Sequence, residues 1–240
     1  QPYEWGRAIY AMINPDYVVA TGHYMPYAIR AQEATANGNF FEVLCSNISD
    51  GQLYSNIWQV ENGRLFQTAA LFMFGMLLGR RKYLIKSEES VRFWKKMLKG
   101  AVLAFIPLYC LKTFVPDLLT NPSVQIPYKI AVPSYANFAF MIILVSIFTL
   151  LWFKKEKGYG WQSLLIPYGR MSLTNYISQS IMGVIIYYGF GLAMYKYAGA
   201  TASLLIALLI FTVQLIFSRW WLARHKQGPL EFLWRKGTWI

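Results

Sequence analysis

Two histidines occur in the chain, His23 and His225. A neutral imidazole can take a proton from a hydroxyl or amine when a carboxylate orients it, and Asp16 stands in the same segment as His23. That pairing defines a general-base candidate, His23 with Asp16, beside the plainer role of a surface or packing histidine. Further along, Glu61, Arg64 and Gln67 precede a long apolar block. Glu61 and Arg64 are one helical turn apart and suit a local ion pair, while Arg64 with Gln67 could read an anionic or polyhydroxyl group.

A second constellation is uncharged. At about 100° per helical residue, Ser172, Asn175, Gln179 and Gly183 fall on one stripe of a helix. Facing lipid, such amides would go unsatisfied at a cost of roughly several kcal/mol, so the stripe must face other helices or an aqueous cavity. Arg170 caps the same block, and Gln214 and Arg219 lie near the end of the next one. Two readings fit this inward cluster: a ligand or substrate contact, or interhelical glue that Gly183, Gly189 and Gly191 help by permitting close approach.

Soluble-enzyme motifs give no support to other chemistries. The chain has no Walker-type glycine loop, no His-x-x-x-His zinc pair and no Gly-x-Ser-x-Gly elbow. Neither Cys45 nor Cys110 has metal-site spacing. No metal is expected and no resident cofactor.

The elements that must carry these residues follow from composition. Of 240 residues, 56% are hydrophobic and 14% charged, and the apolar residues gather into long blocks. An all-α, polytopic membrane bundle is expected, with about five transmembrane helices at residues 65–79, 100–119, 134–153, 171–193 and 201–223. Pro107 and Lys112 interrupt the second block.

Basic residues set an orientation. Segment 80–99 holds eight of the 23 lysines and arginines, 154–170 four and 219–236 five. By the positive-inside rule these segments are cytoplasmic, which places the N-terminus outside and the C-terminus inside. The net charge of +12 then reflects span ends meeting anionic headgroups, and nucleic acid is not an expected partner.

Residues 1–63 differ in kind and are read as an extracytoplasmic segment, with 64–240 as the transmembrane domain. The first part holds six of the eleven acidic residues and turn signals at Asn14-Pro15-Asp16, Thr21-Gly22-His23 and Asn37-Gly38-Asn39. Residues 40–58 read as amphipathic helix lying on the outer membrane surface or capping the bundle. A chain starting at Gln1 without a signal-peptide pattern is expected to be processed or part of something longer.

Four phrases in one order carry a resemblance: Glu61-Asn62-Gly63-Arg64-Leu65-Phe66-Gln67-Thr68-Ala69, Phe74-Gly75-Met76-Leu77-Leu78-Gly79-Arg80, Gly169-Arg170-Met171-Ser172-Leu173-Thr174-Asn175-Tyr176 and Gly228-Pro229-Leu230-Glu231-Phe232-Leu233-Trp234-Arg235. They resemble the C-terminal domain of the YeiB-like bacterial inner-membrane proteins, a domain of unknown function. Full members begin with a Leu-Asp-x-Leu-Arg-Gly type motif that this chain does not contain, so an N-terminal transmembrane half is an expected partner. The family's distant similarity to membrane acyltransferases of the heparan-glucosaminide acetyltransferase type implies acyl transfer from a cytoplasmic donor such as acyl-coenzyme A to an extracytoplasmic hydroxyl or amine. Arg170, Arg219 and Arg235 on the basic inner edge suit an anionic donor. Export of a small solute or lipid, or a scaffold subunit, are the competing classes, and a homo-oligomer is compatible with each.

Overall fold

A computed structural model of the chain describes residues 2–14, 16–19, 21–154 and 160–238. All regular structure among these residues is helical: α1 (Pro2–Ile13), α2 (Met25–Asn37), α3 (Phe40–Ser46), a π-helical turn (Asn47–Gly51), α4 (Gln52–Glu61), α5 (Arg64–Arg80), α6 (Glu88–Phe114), α7 (Pro122–Lys154), α8 (Trp161–Arg170), α9 (Ser172–Tyr187), α10 (Ala200–Leu222) and α11 (Pro229–Thr238). The protein is an all-α membrane protein. The stretch Glu88–Leu118 and helices α7 and α10 are each long and apolar enough to cross a bilayer.

The other two blocks expected to span form shorter helices. At 17 and 16 residues, α5 and α9 reach about 25 Å, against a hydrocarbon core of about 30 Å. The block at 171–193 stops being helical at Tyr187, because the chain turns back on itself there. Leu192 donates its N–H to the Ile185 carbonyl at 2.8 Å, and a Cβ on Gly191 would lie 2.0 Å from that oxygen. Only glycine fits so close an approach.

Helix starts follow local chemistry. Asn39 and Glu42 cap α3 reciprocally, the side chain of each accepting from the other's backbone N–H, as a capping box requires. Ser87 accepts from the Ser90 N–H at 3.0 Å and Glu88 and Glu89 occupy the first turn of α6, where negative charge complements the helix dipole. Two of the expected turns, Thr21-Gly22-His23 and Asn37-Gly38-Asn39, fall between helices; in Asn14-Pro15-Asp16, Pro15 lies outside the described residues.

Chain contacts divide the molecule into two compact units, Gln1–Pro26 with Leu53–Lys155 and Tyr27–Gln52 with Glu156–Ile240. In the first, α6 and α7 form a long antiparallel hairpin, tied by Phe105 against Phe140 and by the Tyr128 hydroxyl donating to the Leu111 carbonyl at 3.0 Å. Leu78, Trp94 and Phe153 form a buried apolar cluster at one end of it. The Trp94 indole N–H, buried with the ring, donates to the Tyr83 carbonyl at 2.8 Å.

At the other end α1 lies on the first third of α7. Ala8, Ala11, Ala131 and Ala136 are all buried, and small side chains let two helices approach closely. Glu4 and Arg7 are buried in this contact as a pair 3.4 Å apart. Burial pushes the Glu4 carboxyl above its ordinary value, with Arg7 acting in the opposite direction.

In the second unit α8, α9 and α10 pack together, with Tyr168 edge-on to Phe211. The end of α2 meets the loop after α9. The Gly189 N–H donates to the Thr35 carbonyl at 3.0 Å, and a Cβ on Gly189 would fall 1.8 Å from the Ala36 oxygen.

Candidate functional site

In the first unit, His23 sits in the turn before α2 and Glu61 ends α4. His23 Nδ1 lies 2.5 Å from Glu61 Oε1. The backbone N–H groups of Gly22 and His23 donate to the same carboxylate at 3.1 and 3.2 Å. Three donors therefore converge on Glu61, the third when the ring proton is on Nδ1. In that tautomer Nε2 is an acceptor with no partner among the described residues, and the His23 side chain is 67% exposed while that of Glu61 is 15% exposed. The carboxylate partner is thus Glu61 and not Asp16, which is exposed and makes no ion pair among the described residues.

Because Glu61 is engaged by His23, it does not form the expected ion pair with Arg64. The Arg64 guanidinium donates to Gln67 Oε1 at 2.9 Å and lies over the Trp58 ring, 5.6 Å from its centroid. Its buried Nε has no hydrogen-bond partner among the described residues. Gln67 in turn borders an apolar groove of about 520 Å³, with Phe66, Leu71, Phe74, Tyr135 and Phe138. An imidazole held against a carboxylate is able to accept a proton, and Arg64, one turn beyond Glu61, carries a guanidinium able to hold a polar group.

The second unit brings together a different set. Asn175 donates from Nδ2 to the Tyr168 carbonyl at 3.0 Å and to Ser218 Oγ at 3.1 Å. Ser218 is also within 3.3 Å of Asn175 Oδ1. Gln214 donates to the Asn175 carbonyl and to Ser178 Oγ, both at 2.8 Å, and accepts from the Tyr168 hydroxyl at 3.3 Å. Asn175, Gln214 and Ser218 are all buried. Each polar group is matched by another from a neighbouring element, so the cluster joins α8, α9 and α10 and leaves little capacity for a ligand.

The other residues singled out around this cluster lie outside it. Ser172, Gln179 and Arg219 are exposed. Arg170, also exposed, donates to the Lys226 carbonyl at 2.8 Å and so fixes the turn before α11. The buried side of α9 runs through Thr174, Asn175 and the half-buried Ser178, one to two positions round from the stripe read off the sequence.

Glu231 was missed by sequence reasoning. Helix α9 starts after a break at Met171 with no side-chain cap, leaving first-turn N–H groups without acceptors. Glu231, reaching from α11, accepts from the Leu173 and Thr174 N–H groups at 2.8 and 3.1 Å and from the Thr174 hydroxyl at 2.5 Å. Burial acts to raise its carboxyl, but these hydrogen bonds outweigh it and hold the group below its ordinary value. A Cβ on Gly228 would lie 2.1 Å from Glu231 Oε2. The available signal was Gly228-Pro229 opening a helix with an acid in its first turn.

Residues 78–240 match the family described as Protein of unknown function (DUF418). The chain belongs to that family. Within it, the phrases around Thr174 and Glu231 are in direct contact. The uncharacterized protein YxaH of Bacillus subtilis (strain 168) is 42% identical over 72 residues, covering 30% of this chain and 18% of YxaH. An uncharacterized 39.9 kDa protein from the amylase 3' region of Bacillus acidopullulyticus is 45% identical over 76 residues, 32% of this chain and 21% of that protein. The uncharacterized protein YeiB of Escherichia coli (strain K12) is 36% identical over 70 residues, 29% of this chain and 18% of YeiB. The matched stretches thus cover about a fifth of these relatives' lengths. No solved structure matches the chain.

Proposed function

We propose that the chain is part of a membrane acyltransferase-like protein in which His23, oriented by Glu61, is the general base for the acceptor. The observation that carries this reading is the 2.5 Å contact of His23 Nδ1 with Glu61, in a histidine whose side chain is mostly exposed and whose Nε2 makes no hydrogen bond among the described residues. Nε2 takes the proton of an acceptor hydroxyl or amine as its oxygen or nitrogen attacks the carbonyl carbon of an acyl thioester. The C–S bond then breaks, and the departing thiolate regains that proton from the imidazolium. Glu61 stabilises the imidazolium formed between the two steps. Arg64 and Gln67 hold an anionic or polyhydroxyl part of the substrate.

In this reading acyl-coenzyme A is the donor and Asn175, Gln214 and Ser218 hold helices together. The basic segments lie on the cytoplasmic side of a bacterial inner membrane, and His23 works outside. The donor's route across the membrane is a further part of this proposal, carried by the N-terminal transmembrane half that the family resemblance implies.

The test uses membranes from cells producing the full-length protein, supplied with radiolabelled acetyl-coenzyme A on the cytoplasmic side. Label should enter the lipid or glycan fraction of the envelope, and His23→Ala should lower its rate about 100-fold or more, the usual range for loss of a general base. Equal labelling by wild type and His23→Ala would remove the reading.

A further inference from the structure

At the end of the α6–α7 hairpin away from α1, a groove of about 410 Å³ runs between the two helices. Its floor is apolar, made by Leu98, Ile147, Leu150 and Leu151, and Lys95 and Lys154 stand on its lips. Both lysines are exposed and neither forms an ion pair among the described residues. The nearest acids in sequence on α6, Glu88 and Glu89, sit on its first turn, and neither lines the groove. Two cations with no ion-pair partner among the described residues, over a hydrocarbon floor, complement a molecule with an anionic head and an aliphatic tail.

The level of the groove identifies which molecule. Trp152, two residues before Lys154, stacks on Phe148, and Tyr83 stacks on Phe93 with ring centroids 4.1 Å apart. Aromatic rings beside lysines are the pattern of a helix end at the headgroup layer. Ile147 and Leu151 are half-exposed on the flank of the hairpin, where lipid chains reach it in a bilayer. We infer that this groove is a binding site for an anionic phospholipid, its phosphate between Lys95 and Lys154 and one acyl chain along Leu98, Ile147, Leu150 and Leu151. The site is distinct from His23: Val19 bonds Ser123 at the opposite end of α7, about 40 Å away along the helix axis.

The experiment is native mass spectrometry of the purified chain with phosphatidylglycerol or phosphatidylcholine added at equal concentration. Wild type should retain phosphatidylglycerol about tenfold better, and Lys95→Ala/Lys154→Ala should abolish that preference, as expected for two lysines at an anionic headgroup. Lys86→Ala/Lys99→Ala removes the same charge from the basic segment that holds Lys95 without touching the groove and should leave the preference intact. Leu151→Trp, which fills the floor and keeps both lysines, should weaken phosphatidylglycerol retention. Three results would overturn the inference: equal loss in both double-lysine variants, which means diffuse charge attraction; no effect of Leu151→Trp; or displacement of phosphatidylglycerol by equimolar palmitoyl-coenzyme A, which means that a soluble amphiphile is the occupant.

Discussion

The Asn175 cluster and the His23–Glu61 pair are both polar and both made by side chains distant in sequence, yet they differ in what is left over. Around Asn175 the donors and acceptors of Tyr168, Ser178, Gln214 and Ser218 are matched to one another between packed helices. At His23 one face of the imidazole is engaged and the other is open to solvent. A polar group that is buried and fully matched stabilises a fold, whereas one that is held on one side and unmatched on the other can act on something else. On the proposed reading, the second unit's cluster serves packing and the first unit's pair serves chemistry.

The largest break of that contrast is Asn175→Leu. It removes both side-chain donations and leaves Ser218 without its partner, so the purified protein should lose about 2–3 kcal/mol and melt several degrees lower in detergent. A neutral effect would mean that the cluster is wet and available.

Glu231→Gln should have the next largest effect, about 1–2 kcal/mol, because charge-assisted hydrogen bonds become neutral ones. Its pH dependence has a defined sign. The folded carboxyl lies below its ordinary value, so its contribution is complete above the usual glutamate value near 4.3 and is lost as the pH falls through the lowered folded value. Hydrogen-exchange protection at α11, relative to the intrinsic exchange rate at each pH, should therefore fall in acid in the wild type, and much less in Glu231→Gln.

A double-mutant cycle between Asn175→Ala and Ser218→Ala should give a coupling of about 0.6–1.7 kcal/mol, the range for interhelical hydrogen bonds in membranes. Zero coupling would detach the two residues. The smallest effect belongs to His23→Ala, which should change stability by no more than about 0.5 kcal/mol, since the ring is mostly exposed.

Much of the helical plan was legible in the residues. The turns at Gly22 and Gly38 and the long apolar runs of α6, α7 and α10 are local signals, and each marks the element it should. What was not legible depended on partners distant in the chain. Asp16 was the nearest acid to His23 in sequence, but the fold delivers Glu61 from the end of α4. The helical stripe through Ser172 and Gln179 was a sound projection of one helix, yet α10 and α11 decide which side of α9 is buried, and they select Thr174, Asn175 and Ser178. The reach of α9 failed for a similar reason, because Gly189 and Gly191 serve close backbone approaches that apolar composition conceals.

The central claim is that reactivity lies at His23 and not at Asn175. The most direct measurement compares label transfer from acetyl-coenzyme A by full-length protein carrying His23→Ala or Asn175→Leu, each normalised to folded protein in the membrane. The expected result is a loss of about 100-fold or more for His23→Ala and near wild-type transfer per folded molecule for Asn175→Leu. Full activity in His23→Ala, with transfer abolished in a folded Asn175→Leu protein, would contradict it.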